Sequence, residues 1–195
     1  MTTNLTWNPL LRDQIALHWT SQLRPRLVGL TDEEYFWEPA PGSWNVRPRG
    51  TGTAPVQGGS GAMTIDFAFP EPDPAPVTTI AWRLGHVIVG VLAVRNAAHF
   101  GREPTDYVSF DYAATAADAL DQLDTEYATW LAGVESLGEK GLQRAIGEAE
   151  DEWAEHSYAE LVLHIHRELI HHLAEVCLLR DLHAHRPADA LLGAR

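Results

Sequence analysis

Apolar residues return at helical spacing in four separate stretches of this chain, and that periodicity favours helix-on-helix packing over any sheet-based fold. The first stretch, about residues 9–30, places Leu10, Ile15, Leu17, Trp19, Leu23, Leu27 and Leu30 among polar neighbours, with Pro25 set to bend or split it. The run Thr31-Asp32-Glu33-Glu34 follows as a cap for a short helical turn. A second helix is expected after Thr78 or Thr79, running through IAWRLGHVIVGVLAVRNAAHF to Gly101. The third, about 115–137, has Thr115 as its cap and Gly138 as its stop. The fourth, about 157–183, opens on Ser157 with Glu160 three residues on, the pattern of a capping box. Four helices of this length predict an all-α fold, a four-helix bundle with a long first crossover loop.

That crossover spans about residues 38–76, where prolines and glycines crowd (PAPGSW, RPRGTG, QGGSG, FPEPDPAP) and helical spacing disappears. A connection this long inside one domain is usually functional. Trp37 and Trp44 are expected to pin it to the body, and MTIDFAF reads as a short strand or extended segment. The 195 residues suit a single domain over 1–195. A formal charge of -13 argues against nucleic acid as the partner and against anionic membrane surfaces. Val77 to Phe100 is too interrupted by Arg83, His86, Arg95, Asn96 and His99 to span a bilayer. The opening MTTNLTWNPLLRDQ has no basic and apolar leader pattern, and the single cysteine, Cys177, forms no internal disulfide, so a cytoplasmic location is expected. Cys177 reads as a small buried hydrophobe, not a nucleophile.

The fourth helix carries a feature its core role does not explain. At about 100° per residue, His164, Glu168, His171, His172 and Glu175 share one arc of about 100°. Glu168 and His172, four apart, lie one turn apart on that face, as paired ligands do on helices. A third donor must come from elsewhere, and His86, inside the apolar run IAWRLGHVIVGVL, is the candidate. Each residue has a plainer reading: His86 as a satisfied core histidine, Glu168 paired with Arg83 or Arg167, and His164, His166, His183 and His185 as surface or helix-end residues. Together they favour a metal. HRELIHH is not the HExxH of zinc proteases, since Arg167 follows His166.

Three stretches, WRLGH (82–86), PGSWNVRP (41–48) and RELIHHLAEVCLLRDL (167–182), resemble the DinB/YfiT-like superfamily of bacterial four-helix metalloproteins. The resemblance implies a divalent metal at His86, Glu168 and His172, with Glu168 where the family most often has histidine. It implies zinc or nickel, with manganese or iron as further candidates for a harder donor set. His171, His164 and Glu175 are then supporting or alternative ligands. Relatives of this kind include mycothiol-dependent S-transferases and isomerases, so the implied activity is activation of a thiol or water towards a small-molecule electrophile arriving near the Pro/Gly-rich loop. Arg83, Trp44 and Trp82 are candidate substrate contacts, although an ion-pair arginine and core tryptophans fit the same positions. The competing expectation is a non-catalytic metal-binding or stress-response protein, and a homodimer is compatible with either.

Overall fold

The computed structural model describes residues 5–187. The chain is helix-rich, with a small three-stranded sheet. α1 (Trp7–His18) passes into a π-helical turn, Trp19–Leu23, and a 3-10 turn, Arg24–Leu27, that contains Pro25. The proline therefore retunes the helix, as its missing N–H and fixed φ require. α2 (Asp32–Tyr35) has the full capping box: Thr31 Oγ1 accepts from the Glu34 N–H, and Glu34 accepts from the Thr31 N–H. Arg180 donates to Glu34 at 2.9 Å, tying that turn to the last helix.

The 38–76 segment differs from the connection that its composition predicts. It folds β1 (Val46–Pro48), β2 (Val56–Gly58) and β3 (Met63–Phe67) into an antiparallel sheet in the order β1-β3-β2. Only β3 had a sequence signal, in MTIDFAF. Strands of three residues are too short to show alternation, and they persist because the sheet is packed on a helix. Ile65 is fully buried, Trp82 Nε1 donates to the Asp66 carbonyl at 2.8 Å, and Thr79 Oγ1 donates to Asn45 Oδ1 at 2.8 Å. The Trp44 N–H bonds to the Val77 carbonyl and its own carbonyl accepts from Thr79 N–H, so Trp44 does pin the loop. Trp37 lies edge-on to His183.

α3 (Ile80–His86), capped by Thr79, continues through a π-helical stretch, Val87–Ala93, into α4 (Val94–Phe100), and Gly101 closes it with a φ of 71°. Gly138, the expected stop of the third helix, does break the helical path of α5 (Ala116–Leu142), at φ 57° and ψ -175°, and a further helical turn follows it. α6 (Tyr158–Ala184) starts from the Ser157 capping box with Glu160. α1 packs on α5, α3 on α6, and α4 on α5, around one core that reaches from Ile15 to Val176. Leu161, Ile165, Leu169, Leu173 and Val176 line the buried face of α6, each burial contributing about 1.5–3 kcal/mol before entropy is charged. Of the histidines read as surface or helix-end residues, His183 does sit in the last turn of α6, but it and His166 are each only 7% exposed. No helix among the described residues is long and apolar enough to cross a membrane.

Candidate metal centre

Glu168, His172 and Glu175 follow the buried Leu169–Leu173–Val176 seam at an offset of one residue, which turns them into the groove between α6 and α3. His86 ends α3 on the other side of that groove. The imidazoles of His86 and His172 meet edge to face, with centroids 4.6 Å apart and planes at 85°. His172 Nε2 lies 3.3 Å from Glu168 Oε2, and His172 Nδ1 lies 3.0 Å from Glu175 Oε2. Arg83 Nε pairs with the same Glu175 oxygen at 3.2 Å.

The proton positions follow from the partners. Arg83 Nη1 stands 3.4 Å from His172 Nδ1, longer than the Glu175 contact, so Nδ1–H donates to the carboxylate. His172 Nε2 faces the Glu168 carboxylate at 3.3 Å, and only a ring without a proton on that nitrogen presents a lone pair there. In that state two acceptors face each other across a gap that only a cation, a second proton or a metal ion, makes favourable. His86, Glu168 and His172 face the same groove, but their ligand atoms do not all lie within 4.8 Å of one another.

His86 is held from behind. Its ring stacks on Trp82 with centroids 5.6 Å apart, and its Nδ1 is 2.7 Å from Tyr107 Oη. Burial, reinforced by His172 and Arg83, pushes the His86 pKa down to about 4, and burial pushes that of Tyr107 up to about 12. Both groups are neutral near pH 7. When His86 Nδ1–H donates to Tyr107, Nε2 is left as the free donor atom, the arrangement that ligating histidines use. Tyr107 lies in the irregular 101–115 connection, where no periodicity marks it; sequence reasoning missed it.

Among the described residues, the one group of three such side chains with ligand atoms all within 4.8 Å of one another is His171, His172 and Glu175, which includes His172 but neither His86 nor Glu168. These three form a group that could hold a metal ion, all from one helix. His171 has the most exposed side chain of the three. His164 is turned elsewhere: its Nδ1 accepts from Arg167 Nη2 at 2.6 Å and lies 3.7 Å from Glu168. Trp44 and Trp82 are both 8% exposed and form, with Phe67, the aromatic wall behind His86. Arg83 lies over the Trp82 ring at 5.4 Å. The Cys177 thiol is half-buried, and burial pushes its pKa up, which disfavours the thiolate.

A family model described as the DinB superfamily matches residues 54–176, the span that holds the sheet's last two strands, His86, Tyr107 and the α6 cluster. No curated protein and no solved structure matches the chain. With well over half of its length matched by that model, the chain belongs to the DinB superfamily.

Proposed function

We propose that this protein is a metal-dependent enzyme that activates a low-molecular-weight thiol, or water, towards a small-molecule electrophile, with His86, Glu168 and His172 as the metal ligands. The four long helical stretches are read as a four-helix bundle within a single domain, and the cytoplasm, where such thiols stay reduced, as its location. One observation carries the reading: imidazoles 86 positions apart in the chain have centroids 4.6 Å apart, with the Glu168 carboxylate 3.3 Å from Nε2 of His172. A divalent cation bound there would lower the pKa of a thiol or water, supplying a nucleophile at neutral pH. The protein's own groups would do the rest. Glu175 fixes the His172 tautomer, Arg83 steadies Glu175 and keeps donors for a substrate carboxylate, and the Trp44–Trp82–Phe67 wall keeps bulk water from the back of His86.

The test is elemental analysis of protein purified without an affinity tag, beside His172→Ala and His185→Ala. The wild type and His185→Ala are expected to carry zinc, nickel, manganese or iron, and His172→Ala to lose most of it. Equal metal content in all three overturns the ligand assignment. Thiol transfer with mycothiol by the loaded protein, absent from His172→Ala, then tests the activity.

A second reading, a non-catalytic metal-binding protein acting as a homodimer, is favoured by one observation: Leu163, Ile170, Leu178 and Leu182 leave an exposed apolar seam along α6. Sedimentation showing a dimer that loads metal yet transfers no thiol would select it.

A further inference from the structure

A cavity of about 340 Å³ lies beside the proposed metal centre, between α4, the 3-10 segment Glu148–Trp153 and the start of α6. That volume accommodates a small organic molecule. Ile146, Leu161 and Trp153 supply its apolar lining, and the Trp153 side chain is left largely exposed.

Its polar lining is asymmetric. Both carboxylates are already committed: Glu150 receives His99 Nε2 at 2.9 Å and Arg95 Nη2 at 3.2 Å, while Glu160 receives the Ser157 N–H, the Ser157 hydroxyl and His156 Nδ1. Arg95 is committed too, through Nη1 to the Gly90 carbonyl and Nη2 to Glu150, and its Nε is buried away from the cavity without a partner among the described residues. The remaining donors are not. Arg167 gives one Nη2–H to His164, and its nearest carboxylate oxygen, on Glu168, is 3.6 Å away. Because His164 Nδ1 accepts that bond, its Nε2 carries the proton and is a further donor. His156 Nε2 accepts when the ring is neutral and donates when it is protonated. Spare donors beside spent acceptors, in a chain of formal charge -13, make this a local site for an anion.

We propose that the cavity binds a small carboxylic acid with an apolar body, its carboxylate on Arg167 and His164 and its body against Trp153, Leu161 and Ile146. Two arginines against two carboxylates leave the lining formally neutral, so a monoanion is accommodated while a phosphate dianion would face Glu150 and Glu160 unbalanced. None of the three proposed metal ligands lines the cavity, but Arg167 and His164 come within 3.6 and 3.7 Å of Glu168, so the experiment compares metal-free and metal-loaded protein.

The experiment is calorimetric titration of the full chain with phenylacetate, phenylacetamide and phenyl phosphate, after dialysis against a chelator and again with zinc restored. One phenylacetate site of equal affinity in both forms is expected, with the amide and the phosphate bound at least about tenfold more weakly. Arg167→Ala and Trp153→Ala, both at exposed side chains whose folding circular dichroism checks, should each weaken phenylacetate by about tenfold or more. Unchanged affinity in both variants, no phenylacetate binding at millimolar concentration, or preference for the phosphate overturns the proposal. So does binding seen only with zinc and abolished by His172→Ala, which would put the acid on the metal; loss of metal in His172→Ala with phenylacetate binding intact leaves it standing.

Discussion

His166 and His172 stand six positions apart on α6 and are put to opposite uses by what surrounds them. His172 is flanked by two carboxylates. His166 faces the core edge-on to Trp130, 6.3 Å between ring centroids, its Nε2 without a partner among the described residues, and burial pushes its pKa down to about 4. A histidine whose folded pKa lies below its unfolded value contributes full stability above the unfolded pKa and loses it as pH falls through the window down to the folded one. For His166 that window runs from about 6.5 to about 4, and protonation at pH 5 should cost about 2 kcal/mol relative to pH 7. Urea unfolding of the wild type and His166→Leu at both pH values measures it: the pH 7 to pH 5 loss should shrink by about that amount in the variant. An identical loss would mean that His166 is not held neutral. The sequence could not separate these two histidines, because helical phase places His166 off the polar stripe without saying whether it faces solvent or core.

At the scale of the element, the α3–π–α4 run is where the site is made. Its apolar sequence predicts a regular helix, but Val87–Ala93 is π-helical, directly after His86. Such widened turns recur at functional sites because they re-aim side chains. Two glycines let neighbours close on this run: a Cβ on Gly85 would meet Ile65 Cδ1 at 2.9 Å, and one on Gly90 would strike the Tyr107 hydroxyl. Gly90→Ala should therefore push Tyr107 off His86 Nδ1 and weaken metal binding by about 10- to 100-fold, as loss of a ligand's supporting hydrogen bond does. Tyr107→Phe should reproduce the loss without the steric change, and competition with a chromophoric chelator reads both. Retained affinity in the two variants would remove Tyr107 from the site. The helices themselves were legible because their ends are chemically marked, by Thr31/Glu34, Thr79, Thr115 and Ser157/Glu160. The sheet was not, since β1 and β2 have three residues each and β1 includes Pro48, whose missing N–H marks an edge. His86, Glu168 and His172 could be gathered from spacing and apolar context, whereas Tyr107 and the Glu150–Arg95 cavity depend on irregular segments whose course no periodicity encodes.

Across the whole molecule, the two overlapping donor sets make different mechanical predictions. An ion held by His86, Glu168 and His172 joins α3 to α6, two elements far apart in sequence, and binds only when they are docked. An ion held by His171, His172 and Glu175 is grasped by one helix and leaves the docking unaffected. Binding to the folded state alone stabilises it by about 2.7 kcal/mol at a free ion concentration of 100 times Kd. For a chain of this length that corresponds to a rise in Tm of about 5–10 °C. Zinc added to metal-free wild type and to His171→Ala should produce that rise, while His86→Ala and His172→Ala should show little. If His86→Ala instead keeps the full rise and His171→Ala loses it, the ion belongs to the single-helix set, the groove between α3 and α6 is not bridged, and the proposed activation of a thiol beside His86 loses its foundation.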